Sequence, residues 1–185
     1  LLKFIPGPDF PTGGVIIENE ETRLNIYKTG KGSLRIRAKW SLEKEKKGLW
    51  KIVVHEIPYQ VNKGKLIEKI AQLIIDKKIH ILEDIRDESS ETLRIVLIPR
   101  SREVIPEYLM EALFEFSDLE TRFSVNLNAI NNQVPRVHNL RELLLSWIDH
   151  RREVLIKRTQ YKKKTIIQRL EILEGYLIVY ANLDK

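Results

Sequence analysis

The stretch Ser33-Leu34-Arg35-Ile36-Arg37-Ala38-Lys39-Trp40-Ser41 alternates without a fault. Leu34, Ile36, Ala38 and Trp40 fall on one side of an extended chain, and Arg35, Arg37 and Lys39 fall on the other. A period of two marks a strand half buried in a sheet. Trp50 to Ile57 is a second apolar run, rich in β-branched residues, and Pro58 stops it. Glu43-Lys44-Glu45-Lys46-Lys47-Gly48 lies between them, polar throughout. The two runs are therefore expected to form an antiparallel hairpin with a flexible connection.

Upstream, the segment from Pro6 to Gly14 holds three prolines and three glycines, so it suits neither a helix nor a central strand. It reads as an ordered loop, followed by a short strand from Val15 to Glu18. Glu20 to Thr29 reads as a helix with Leu24, Ile26 and Tyr27 as its apolar residues, stopped by Gly30 and Gly32.

Downstream, Asn62 is a candidate cap for a helix to about Lys78, with Leu66, Ile70, Leu73 and Ile74 as its buried stripe. Acid-rich Glu83 to Glu91 reads as a solvated loop rather than a set of metal ligands, because Arg86 interrupts it. Leu93 to Ile98 is the next strand. Ile105 to Leu119 is a helix with Pro106 in its first turn, where no amide donor is missed. Phe123 to Ile130 and Val134 to Val137 flank a turn at Asn131-Asn132-Gln133.

After Asn139 nothing breaks a helix until Gly175, and one glycine inside a helix costs only about 1 kcal/mol. A helix from Leu140 to Leu183 would be roughly 65 Å long. Such a helix is expected to project from a small domain and to pack against something outside this chain. Its apolar seam is dense early (Leu140, Leu144, Trp147, Ile148) and late (Ile166, Leu170, Leu173, Leu177, Tyr180), with a basic band between. The expected fold class is α+β: a mostly antiparallel sheet backed by helices, then one long projecting helix. Leu1 at the start and helical sequence up to Lys185 suggest that both ends are cuts in a longer chain.

Lysine and arginine outnumber aspartate and glutamate by 32 to 26, a net charge of +6. So small an excess favours a polyanionic partner only if the cations cluster, and two clusters stand out. Lys28, Lys31, Arg35, Arg37 and Lys39 fall in a span with no acid between residues 22 and 42. Side chains two apart on a strand sit roughly 7 Å from each other, near the spacing of phosphates along one DNA strand. Lys63 and Lys65 stand at the start of the helix capped by Asn62, where unpaired amide groups also attract phosphate. Each cluster has a plainer reading, as the solvated face of a sheet and as an ordinary capped helix. The basic band of the long helix reads more simply as a solvated surface.

The catalytic inventory is negative. The chain has no cysteine, which removes thiol nucleophiles, disulfides and Cys-ligated zinc and suits a reducing cytoplasm. His55, His80, His138 and His150 include no pair at i, i+4, and no phosphate-binding glycine loop or Gly-x-Ser-x-Gly elbow occurs. No apolar window approaches the roughly 20 residues of a membrane span, and no leader is visible.

Ile5-Pro6-Gly7-Pro8-Asp9-Phe10-Pro11-Thr12-Gly13-Gly14, Thr29-Gly30-Lys31-Gly32-Ser33 with Arg35-Ile36-Arg37-Ala38, Ile57-Pro58-Tyr59-Gln60-Val61-Asn62-Lys63, Leu66-Ile67-Glu68-Lys69-Ile70, Asp84-Ile85-Arg86-Asp87-Glu88-Ser89, and His150-Arg151-Arg152-Glu153-Val154 with Ile172-Leu173-Glu174-Gly175 follow one another in the chain. In that order they resemble the A-type polypeptide of bacterial type II topoisomerases, gyrase and topoisomerase IV. Arg37-Ala38-Lys39-Trp40 and Ile98-Pro99-Arg100-Ser101 lean toward the topoisomerase IV branch.

The resemblance implies a division of the chain. Residues 1–14 would lead in from a winged-helix domain upstream, 15–138 would form a tower domain, and 139–185 would begin the coiled-coil neck and exit gate. The family's A-type polypeptide forms a homodimer and joins the B-type (ParE-like) polypeptide of topoisomerase IV in a heterotetramer. It cuts duplex DNA through a tyrosine in an Arg-Tyr-Thr motif. No tyrosine here sits in that motif. ATP and Mg2+ would enter through the B-type polypeptide, so no cofactor is expected in this piece. A bacterial cytoplasmic, nucleoid-associated location is implied. The tower flanks and supports bent DNA in this family, which assigns Lys28, Lys31, Arg35, Arg37, Lys39, Lys63 and Lys65 to phosphate contact. The readings that compete are a sequence-neutral duplex-binding module without an enzyme parent, and an interaction protein whose long helix joins a coiled coil.

Overall fold

A computed structural model describes residues 2–44, 49–131 and 133–182. The order is β1 (Val15–Ile16), α1 (Glu20–Thr29), β2 (Lys31–Arg37), β3 (Lys39–Lys44), β4 (Trp50–Glu56), α2 (Lys63–Ile75), β5 (Leu82–Asp87), β6 (Ile95–Pro99), α3 (Pro106–Phe116), β7 (Glu120–Asn126), β8 (Asn128–Asn131), β9 (Val134–Val137) and α4 (Leu140–Ala181). All strand pairs among the described residues are antiparallel. The α+β class and the long final helix are as expected.

The chain divides into two compact units, Leu1–Asn126 and Leu127–Lys185. The boundary expected after residue 138 differs, because the β8–β9 hairpin groups with α4. Asn131 Nδ2 donates to Ser146 Oγ at 3.2 Å, and the His138 amide donates to the Leu127 carbonyl.

Within the first unit, β3-β4-β6-β5 form a four-stranded sheet. Ile52 and Val54 of β4 and Ile95 and Leu97 of β6 alternate onto one face. There they meet Leu66, Ile70 and Leu73 of α2 and Leu109, Met110 and Leu113 of α3. Burying such side chains contributes about 1.5–3 kcal/mol each. A second sheet, β1-β2-β7, places Leu34 and Ile36 in the interior, and Ile26 of α1 is buried as well. A Cβ on Gly32 would collide with Ile26, so the helix lies close against the start of β2.

Four local expectations are corrected. The run Ser33 to Ser41 is not one strand: it breaks at Ala38, whose amide donates to the Leu119 carbonyl at 2.8 Å. β2 then belongs to one sheet and β3 to the other. The loop expected at Glu83 to Glu91 is in its first half an edge strand, β5, because Leu82 is buried and Ile85 packs on the core. The strand expected from Phe123 to Ile130 is two strands, β7 and β8, interrupted at Leu127. The helix expected to reach Lys78 ends at Ile75, and Lys77 turns left-handed at φ 56°. Residues 45–48 of the expected hairpin connection lie outside the described residues, as do Asn132 and residues 183–185.

In the second unit, Asn139 caps α4 by accepting from the Glu142 amide at 2.8 Å. No residue of α4 is buried, and its exposed apolar side chains run from Leu145 to Tyr180. No described helix is long and apolar enough to cross a membrane.

Candidate nucleic-acid interface

The β2–β7 pairing sets the geometry. Lys31 faces Asn126, Ser33 faces Ser124, Arg35 faces Arg122, and Arg37 faces Glu120. By the strand period these eight side chains share one face, opposite Leu34, Ile36 and Phe123. The exposed polar rows offer hydroxyl, amide and cationic donors, the groups that meet sugar and phosphate.

The cations divide into two sets. Arg35 Nε donates to Glu18 Oε1 at 2.9 Å, and that bond holds the Glu18 carboxyl below its usual range. Arg37 bonds Glu120 through Nε and Glu111 through both terminal nitrogens, with its guanidinium 4.4 Å from the Phe114 ring centroid. Lys39 lies in the other sheet and pairs with Glu56 at 3.1 Å. Glu56 also accepts the Gly14 amide at 2.7 Å, and this backbone bond is the main reason that its carboxyl is pulled below the ordinary value. Lys63, at the first position of α2, pairs with Asp87 at 2.8 Å, and this bond holds the Asp87 carboxyl down at about 2.

Lys28, Lys31 and Lys65 are exposed and make no side-chain ion pair among the described residues. Lys28 lies in the last turn of α1 and Lys31 opens β2. Lys65 follows the Asn62 cap, whose side chain accepts the Lys65 amide at 3.1 Å. The structure thus leaves three of the seven sequence-predicted cations for an outside anion and engages the other four internally.

Arg122 joins the first three, and sequence reading missed it. It is exposed, lies directly across from Arg35, and makes no hydrogen bond or ion pair among the described residues. Its charge contributes weakly to keeping Glu18 ionised. Nothing in the local sequence marks it, because its strand partner Arg35 lies far back in the chain.

The loop strings that carried the resemblance converge here. Phe10 packs near Phe123 (5.0 Å between centroids) and Tyr59 (5.9 Å), and Tyr59 lies 6.0 Å from Phe123. This cluster seats the Pro-Gly loop and the loop ahead of α2 against β7. Gly13 is needed in it for lack of a side chain, since a Cβ there would overlap the Glu56 carboxylate. Among the described residues no group of three or more His, Asp or Glu side chains is placed to hold a metal ion.

A family model described as that of the A chain-type component of DNA gyrase/topoisomerase IV matches residues 1–185. The chain is 50% identical over its whole length to the DNA topoisomerase 4 A-type polypeptide of Caulobacter vibrioides, covering 24% of that protein. It is 48% identical to the same polypeptide of Rickettsia bellii, covering 25% of it. Against the DNA gyrase A-type polypeptide of Ureaplasma parvum the identity is 41%, with 22% of that protein covered. The chain thus spans about a quarter of the length of the relatives that it matches.

Proposed function

The chain belongs to the family of DNA gyrase/topoisomerase IV A-type polypeptides, and from that premise we propose that it is a DNA-supporting piece of a topoisomerase IV-type enzyme. In this reading it holds the sugar-phosphate backbone of a duplex that another part of the enzyme cuts. The carrying observation is the exposed, unpaired set Lys31, Arg122, Lys28 and Lys65 beside a polar sheet face. Cations that have no internal partner lose nothing when a phosphate arrives. Arg35, Arg37, Lys39 and Lys63 would have to share or give up a carboxylate first. Their proposed role is the secondary one of fixing the strands and the helix start that carry the free cations.

Topoisomerase IV is preferred to gyrase because the matched topoisomerase 4 polypeptides are 48–50% identical and the matched gyrase polypeptides 40–42%. The parent would be an ATP-dependent isomerase, relaxing supercoils and unlinking daughter chromosomes in the bacterial cytoplasm, at the nucleoid. It would work as a homodimer with the B-type polypeptide of topoisomerase IV, which brings ATP and Mg2+. This piece would contribute no reacting group.

Binding of the chain to short duplexes of unrelated sequence tests this reading. Equal affinities across sequences, falling steeply with salt, are expected, because backbone contact releases counterions and reads no bases. Strong preference for one sequence, or affinity indifferent to salt, would overturn it.

A further inference from the structure

The second compact unit holds an open cavity of about 540 Å3 that the duplex reading does not use. Ala129, Ile130 and Asn131 of β8 form one side, and Leu143, Ser146, Trp147, His150 and Glu153 of α4 form the other. His138 and Asp149 complete the lining. The volume falls within the range of small-molecule sites, and the mix of apolar walls with a few polar groups is typical of them.

His138 is the unusual group. It is 1% exposed, and neither ring nitrogen has a hydrogen-bond partner among the described residues. Its Nδ1 stands 3.9 Å from Glu142 Oε2, outside hydrogen-bond reach. A buried imidazole without partners bears a desolvation cost that a bound donor or acceptor would relieve. The rim supplies the charge preference: Asp149 and Glu153 are carboxylates one helical turn apart on the cavity side of α4. Each already meets a cation on its own helix, Arg152 at 3.9 Å and Lys157 at 2.6 Å. A carboxylate retains further acceptor sites after one such bond. The Trp147 ring is also placed for a cation, with the Arg151 guanidinium carbon 6.0 Å from its centroid.

We propose that this cavity is a binding site for a small, flat organic cation with N–H donors, of the guanidinium or amidinium class. The ligand's apolar body lies against Ile130, Leu143 and Trp147. Its N–H groups reach the acceptor nitrogen of His138 and the carboxylates of Asp149 and Glu153. Asn131 and Ser146, which bond to each other at 3.2 Å, hold the hairpin to the helix and keep the two walls apart at a fixed width. The site is independent of the duplex interface, and either can fail alone.

The test uses the 185-residue chain and two probes of one shape, benzamidinium and neutral benzamide. Ring signals of His138 and His150, assigned through His138→Leu and His150→Asn, are followed by NMR during titration. Benzamidinium is expected to shift the His138 signals saturably, with benzamide at least about tenfold weaker. In Asp149→Asn/Glu153→Gln, two surface changes that leave the packing intact, benzamidinium affinity is expected to fall about threefold or more. In His138→Leu the Trp147 fluorescence response to benzamidinium is expected to weaken about tenfold. Equal binding of the two probes, no saturable shift of His138, or full affinity in the double variant would overturn the proposal. A slowly exchanging water on His138 in place of any response to the probe would do so as well.

Discussion

Arg35 and Arg122 stand directly opposite each other on β2 and β7. Like charges in that position repel, since opposed Cβ atoms are only about 5 Å apart. Glu18 neutralises Arg35 at 2.9 Å, and Arg122 is left facing outward without a bonded partner among the described residues. The sheet tolerates a charge here that its own contacts do not need.

Arg37 behaves in the opposite way. Its guanidinium is mostly covered, with the side chain 25% exposed, and it reaches Glu120, Glu111 and the Phe114 ring. Removing it strands a Glu120 carboxylate that is only 19% exposed. Arg37→Ala is therefore expected to cost about 2 kcal/mol in urea unfolding, while duplex affinity of the folded variant stays within about twofold. A stable variant with lost DNA binding would reverse the roles assigned to Arg37 and Arg122.

Lys63 offers a test by release. Asp87 holds its ammonium at 2.8 Å. Asp87→Asn frees that cation without removing it. Duplex affinity is expected to rise about threefold at low salt, since an exposed pair of this kind is worth less than about 1 kcal/mol. Lys63→Ala in the unaltered chain is expected to change affinity little. Titration by fluorescence anisotropy measures both.

Acid should loosen the first unit through two carboxylates. Arg94 holds Glu43 at about 2, with bonds of 2.7 and 2.8 Å, and Lys63 with Ser89 holds Asp87 at about 2. Both folded values are depressed from ordinary values of 4.5 and 3.8. Their stabilisation is thus complete above the unfolded values and lost as pH falls from about 5 toward 2. Thermal melts across that window should show a falling Tm, and Glu43→Gln/Asp87→Asn should flatten the fall. An unchanged slope in the double variant would contradict the assignment.

Cleavage is the negative counterpart. Mixed with the B-type polypeptide of topoisomerase IV, ATP and Mg2+, the chain is expected to leave supercoiled plasmid intact and free of covalent protein adduct. A phosphotyrosyl adduct on any of its tyrosines would contradict the proposed supporting role.

Much of the fold was legible because it is written locally. The Asn62 and Asn139 caps, the Glu20–Thr29 helix and the apolar stripe of α2 depend on residues close to one another in the chain. Ala38 was not legible, because an alternating pattern continues through a residue where the chain changes sheets; the deciding bond comes from Leu119. β5 was hidden by its charge: as an edge strand it needs only Leu82 and Ile85 to face inward. The site was the least legible part. Arg37 and Glu120 are 83 residues apart, so no spacing rule distinguishes a cation locked in an ion pair from one left for DNA. The family strings pointed to the region while saying nothing about that division.

The most direct test is the salt dependence of duplex binding for the chain and for Lys31→Ala/Lys65→Ala/Arg122→Ala. With Lys28 as the fourth contact, log affinity against log salt should fall with a slope of about −3 to −4 for the chain and about −1 for the triple variant. An identical slope in both, with binding retained, would contradict the account, for the DNA would then be held by cations other than those that the structure leaves unpaired.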